Sequence, residues 1–115
     1  KFYLNNYGKH TRDFTYISDV SKIISKLIYS KKKLKHEIFN VCSNKPKKLN
    51  DIIKKVNFLT QKTPKLFKRK LQQADVVKTH GNNKKINSFV GYQNFTSIDT
   101  GLKKTVKWFK EYYKL

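Results

Sequence analysis

Apolar side chains recur at helical spacing in three long stretches of the chain. Val20, Ile23, Ile24, Leu27 and Ile28 step through i, i+3, i+4, i+7 and i+8, with Lys22 and Lys26 on the other side. That stripe predicts an amphipathic helix. Ser18 or Asp19 is placed to cap its start, and the basic run Lys31-Lys32-Lys33 suits a helix C-terminus. Leu49, Ile52, Ile53, Val56 and Leu59 predict a second helix, with Asn50 as its cap. Ile98, Leu102, Val106, Phe109 and Tyr113 predict a third, with Lys103, Lys104, Lys107 and Lys110 facing away and Trp108 beside the stripe. Thr96 or Ser97 caps it, with Asp99 in the first turn. Asn83 to Val90 reads as a shorter helix closed by Gly91.

The segments between follow other patterns. Phe2 to Leu4 reads as a short strand and Asn5-Asn6-Tyr7-Gly8-Lys9 as a turn. Arg12 to Ile17 alternates charged and aromatic residues and is rich in strand formers. With Phe2–Leu4 it predicts a hairpin, or two strands joined by a loop. Glu37 to Cys42 (EIFNVC) has the length and composition of a buried strand, and Pro64 to Arg69 reads as extended. Gln72 to Gly81 is irregular, and irregular stretches inside a small domain often carry function. The expected fold class is a mixed α/β domain spanning residues 1–115, without internal repeats.

Charge narrows the partners. With 27 Lys and Arg against 7 Asp and Glu, the formal charge is +20. Such a balance favours nucleic acid, an acidic membrane or a phosphate-bearing small molecule. Yet Arg12 and Arg69 are the only arginines, and sequence-reading proteins rely on the guanidinium fork. A lysine-dominated surface reads instead as a solvated face, which disfavours nucleic acid. No apolar run reaches membrane-spanning length. Cys42 is the only cysteine, so no intrachain disulfide forms, and the cytoplasm is the default compartment. Beside Val41 it reads as a buried filler. The chain has no methionine, even at position 1, which leads us to expect a C-terminal piece of a longer protein.

Two residues stand out as candidate ligand groups. Arg12 offers a fork that fits phosphate oxygens, against the alternative of an ion pair with Asp13 or Asp19. Asp75 is the only carboxylate between Asp51 and Asp99 and lies in the irregular segment. It suits a ribose diol, or it caps its own turn. His10, His36 and His80 have no metal-binding spacing and read as surface histidines. Tyr29-Ser30-Lys31-Lys32-Lys33 contains a Tyr-x-x-x-Lys string, read as a coincidence in so lysine-rich a chain. No phosphate-binding glycine loop or serine nucleophile motif is present.

Arg12 to Asp19, RDFTYISD, resembles the Arg-Asp-Phe-Thr-Tyr-(Ile/Val)-x-Asp signature of extended short-chain dehydrogenase/reductases acting on nucleotide sugars, most of all UDP-glucuronate 4-epimerases. Asn6-Tyr7-Gly8-Lys9 resembles the turn ahead of that signature. Phe39-Asn40-Val41 with Lys45-Pro46 and Leu49 is similar to the family's Tyr-Asn-Ile-Gly-x-Gly-x-Pro-x-x-Leu segment. Leu71 to Val76 with Thr79 resembles Met-Gln-Pro-Gly-Asp-Val and a following Thr. Gly91-Tyr92 and Thr96 to Tyr112 resemble the closing Leu-Gly-Tyr and Gly-Leu-x-x-x-Val-x-Trp helix. The similarity runs through nearly the whole chain. Gln73-Ala74 stands where the family has Pro-Gly, and Asn5 where relatives carry an aromatic.

The resemblance implies the C-terminal, substrate-binding region of an NAD-dependent epimerase, with cofactor loop and catalytic Tyr-x-x-x-Lys lying upstream. It implies Arg12 on the UDP diphosphate, Asp75 on the uridine ribose, the Asn5–Gly8 loop with Asn6 bordering the uracil, and Gln72 in the substrate site where some related epimerases have an arginine as a second phosphate clamp. It implies further that residues 18–42 pack on the dinucleotide-binding domain and that the parent enzyme is a homodimer in surface polysaccharide synthesis. On this reading the isolated chain holds a UDP-sugar, is inactive and self-associates. The rival reading is a basic nucleic-acid-binding module.

Overall fold

The computed structural model describes residues 1–33 and 35–115; Leu34, within the 18–42 stretch, lies outside the described residues. Strand β1 (Phe2–Leu4) runs into a short 3-10 turn over Asn5–Gly8. Strand β2 (Thr11–Arg12) follows, then helix α1 (Ile17–Ile28), strand β3 (Lys47–Lys48) and helix α2 (Leu49–Thr60). Strand β4 (Leu66–Lys68), the short helix α3 (Lys84–Val90) and helix α4 (Ile98–Tyr112) complete the order. The mixed α/β reading and the four expected helices hold.

The strands do not form the hairpin. β1 pairs in parallel with β4, Phe2 opposite Leu66 and Leu4 opposite Lys68. β2 pairs antiparallel with β3, Arg12 opposite Lys47, and on its other side Thr11 bridges to Lys78. Thr11 N–H donates to the Val77 carbonyl (3.0 Å) and its own carbonyl accepts from Thr79 N–H (3.0 Å). β2 therefore lies between β3 and the irregular 72–81 segment. That placement carries residues about 65 apart in sequence to one site.

Four further expectations need correction. Arg12 to Ile17 is a strand only at its first residue. From Asp13 on, side chains rather than a ladder hold the backbone, and the helix starts at Ile17 with Tyr16 as its N-cap residue. Neither Ser18 nor Asp19 caps it. Glu37 to Cys42 is not a strand. Its carbonyls meet side chains instead of a neighbouring strand: Lys85 Nζ donates to Ile38 O (3.0 Å) and Asn83 Nδ2 to Cys42 O (3.0 Å). Asn50 likewise does not cap α2, whose N-cap residue is Lys48; its Nδ2 donates to Tyr7 O (3.4 Å). Ser97 does cap α4, accepting from Thr100 N–H.

The core is small. Ile23, Ile86 and Phe95 form its buried centre, with Leu27, Phe39, Val41 and Val90 packed against them. α2 and α4 pack along a separate seam. The molecule measures 51 × 39 × 19 Å with a radius of gyration of 17.1 Å. A compact chain of this length has a radius near 13 Å, by the usual scaling. Its accessible surface is 9272 Å², where a compact monomer of this mass exposes about 6,600 Å². Large apolar side chains lie on that surface: Ile17, Ile24 and Ile28 of α1, with Tyr29 and Ile38, are exposed.

Candidate functional site

The Gly8 turn sets where β2 begins. Asn6 and Tyr7 adopt left-handed backbone conformations and Gly8 has φ +75°. A Cβ at Gly8 would lie 2.0 Å from Asn50 Oδ1, so the position requires glycine twice over, for φ and for space. The chain then extends through His10, Thr11 and Arg12. Residues two apart in extended chain share a face, and His10 and Arg12 both reach Asp75. Arg12 Nη2 donates to Asp75 Oδ1 (3.1 Å), and Nη1 donates to the Thr11 and Val77 carbonyls (3.0 and 3.1 Å). His10 Nε2 lies 3.0 Å from Asp75 Oδ2. That contact is off the hydrogen-bond axis, leaving the buried Nε2 without a hydrogen-bond partner.

Arg12 and Asp75 thus come together, 63 residues apart in sequence. The ion pair weighed for Arg12 exists, but with Asp75 rather than with Asp13 or Asp19. Three of the five guanidinium donors are taken by protein oxygens. The remaining two make no hydrogen bond among the described residues. Gln72 is exposed; its carbonyl accepts from Asp75 N–H (3.0 Å), closing the turn that presents the carboxylate. Asn6 is half-buried and its carbonyl accepts from Lys9 N–H (2.8 Å). No contact joins Asn6 or the Gln72 side chain to the Arg12–Asp75 pair among the described residues.

The other two carboxylates of the RDFTYISD stretch are structural. Asp13 accepts from Ser43 Oγ (2.5 Å) and from the N–H groups of Asn44, Lys45 and Gly81 (3.1, 3.4 and 3.2 Å). One carboxylate so joins β2 to the 43–45 loop and to the end of the irregular segment. Asp19, buried in the first turn of α1, accepts from Thr96 N–H (2.7 Å) and Thr96 Oγ1 (2.9 Å). Cys42 is buried, as expected; burial first, and the nearby Asp13 charge second, push its thiol above the ordinary range.

His10 was missed as a site residue. It reads in sequence as a surface histidine, yet it is 3% exposed. Its same-face spacing with Arg12 was the available signal. His36 and His80 are exposed. Tyr29 ends α1 at 83% exposure and Lys33 lies beyond the helix, so the Tyr-x-x-x-Lys string does not share a helical face. Nor do the residues here fit a dinucleotide. The four glycines, Gly8, Gly81, Gly91 and Gly101, are ten or more positions apart, whereas a pyrophosphate cradle needs them within a few residues of one another.

No protein-family model matches the chain. An uncharacterised protein of Methanocaldococcus jannaschii is 40% identical over 107 residues, 92% of this chain and 32% of that protein. The UDP-glucuronate 4-epimerase of Thermodesulfobacterium geofontis is 36% identical over 109 residues, 94% of this chain and 33% of that enzyme. Among solved structures, the Bacillus cereus UDP-glucuronic acid 4-epimerase in complex with UDP-glucuronic acid and NAD superposes with a TM-score of 0.85. It is 23% identical, and the match covers 96% of this chain and 35% of the other. The Thermotoga maritima UDP-glucose 4-epimerase with UDP-glucose gives 0.84 at 22% identity, over 98% and 36%. The chain spans about a third of the length of the curated relatives it matches. By sequence it is similar to UDP-glucuronate 4-epimerases, and by fold to these and related NAD-dependent epimerases and dehydratases of the extended short-chain dehydrogenase/reductase type; the match falls on their C-terminal part.

Proposed function

We propose that this chain is the nucleotide-sugar grip of an NAD-dependent epimerase acting on UDP-glucuronate. The observation that carries the reading is the Arg12 guanidinium. Protein oxygens hold it on three donors, and two donors remain for a diphosphate. Asp75, oriented by the Gln72 turn, would accept the ribose hydroxyls, with Asn6 toward the base and Gln72 in the substrate site at the place of a second phosphate clamp. NAD would supply reversible hydride transfer at the sugar, and the residues holding it would lie outside this chain. What these residues contribute is remote binding energy, which positions the sugar for chemistry done elsewhere. Residues 18–42, with the exposed Ile24, Ile28 and Ile38, would pack on the dinucleotide-binding domain of the parent enzyme, itself a homodimer in polysaccharide synthesis.

Calorimetric titration tests this. UDP-glucuronate should bind the 115-residue chain while uridine binds far more weakly, and no epimerisation should follow with NAD added. Arg12→Ala should weaken UDP-glucuronate about 30-fold, the loss of a charge-assisted contact of roughly 2 kcal/mol. Equal binding by wild type and variant would remove Arg12 from the site. A nucleic-acid module would instead bind oligonucleotides with an affinity that collapses steeply with salt.

A further inference from the structure

We propose that His10 is a positioning residue of the anion site: it fixes Asp75 beneath Arg12, and its proton sets how much of the Arg12 charge remains for a bound diphosphate. This rests on the reading of Arg12 as the diphosphate ligand.

The geometry is specific. One carboxylate spans a guanidinium and an imidazole on the same face of one extended segment, Oδ1 toward Arg12 (3.1 Å) and Oδ2 toward His10 (3.0 Å). The His10 side chain is 4% exposed, against 29% for Arg12 and 26% for Asp75. The imidazole therefore forms the buried floor, and the arginine and the carboxylate the accessible rim. Its Nε2 is among the few buried side-chain polar atoms without a hydrogen bond. A group so placed carries a desolvation penalty unless it is relieved, and the polar atom beside it is Asp75 Oδ2. The charged groups around it are few. Asp75 faces it from the loop and Arg12 from its own segment. Lys48 and Lys78 flank it as the strand partners of Thr11 on either side, and both are exposed.

The charge arithmetic gives a direction. With His10 neutral, Asp75 and Arg12 cancel, and a diphosphate meets a site of no net charge. With His10 protonated, Asp75 is shared between two cations and the site gains one positive charge. A doubly charged diphosphate diester then binds more tightly. The diphosphate of a UDP-sugar has no proton to gain between pH 5.5 and 8, so a change of affinity across that range belongs to the protein.

The test is the Kd of UDP-glucuronate between pH 5.5 and 8 for wild type, His10→Gln and His10→Asn, each checked for an unchanged cooperative melt. Gln and Asn place a neutral amide near Nε2 and Nδ1 respectively, so one of them preserves the fold if the other does not. Wild type should bind roughly fivefold more tightly at the acid end, the size expected of one added charge in a partly solvated site. The folded variants should show a flat profile, and Arg12→Ala should lose binding at every pH. A wild-type profile that is flat, or that persists in His10→Gln, overturns the role of His10 while leaving Arg12 in place. Indifference of binding to Arg12→Ala overturns the underlying reading, and the inference falls with it.

Discussion

Two regions of this molecule end in opposite states. Around β2, nearly every polar group finds its partner inside the chain: Asp13 takes four donors, Asp19 takes two, and Arg12 gives to three oxygens. On the outer face of α1 the apolar stripe is only half used. Ile23 is 1% exposed and Ile28 is 72% exposed, one and a half turns along the same helix. Ile38, 77% exposed, lies in a segment whose backbone has no strand beside it. Hydrogen bonds are short-range and can close between loops of a thin slab. Burial of apolar area needs a second layer, and only part of one is here. The polar site is built in advance, while the scaffold behind it is left open.

The largest test of that contrast compares Asp13→Ala with Ile86→Ala. Each should cost about 3 kcal/mol in urea unfolding, the first by stranding four donors and the second by opening a cavity in the small core. A loss under about 1 kcal/mol for Asp13→Ala would mean the loops are held by something other than that carboxylate. Ile28→Gln should change stability by less than about 0.5 kcal/mol, since it touches nothing the fold uses. It should also raise the monomer fraction in analytical ultracentrifugation, where the wild type is expected to self-associate through the open face. Loss of stability on the scale of Ile86→Ala would show that the face is already covered.

The smallest effect concerns the α2–α4 seam, where Lys55 Nζ donates to Asp99 at the start of α4. That hydrogen bond holds the Asp99 carboxyl below its ordinary range. A carboxyl depressed in the folded state contributes stability that is full above its unfolded value, near 4. The contribution is lost as pH falls through the lower folded value. Lys55→Ala should therefore cost a constant, small amount above about pH 5, and the two melting curves should converge in acid. A difference that persists at low pH would assign the Lys55 effect to packing.

How much was legible follows from what each element depends on. The four helices are local: their stripes, the Ser97 cap and the Gly91 stop lie within a few residues, and the structure keeps them. The strands are not local. EIFNVC has strand composition, but a strand exists only when a neighbour supplies donors and acceptors, and here Lys85 and Asn83 side chains fill that place. Asp19 and Asn50 have the chemistry of caps and are used elsewhere, because Thr96 and Tyr7, distant in sequence, meet their polar atoms. Arg12 and Asp75 were identified singly, each on its residue type; that they meet depends on β2 lying against the 77–79 segment.

The sequence by itself determined the helices, the turn at Gly8, the single buried thiol and the kinship carried by RDFTYISD, since each is written in contiguous residues. Only the tertiary structure decided that Asp13 and Asp19 are fasteners rather than ligands, that Arg12 pairs with Asp75, and that a histidine read as surface lies buried beneath them. Those outcomes depend on which of several equally suitable partners comes within 3 Å, and proximity of that kind is a property of the folded chain.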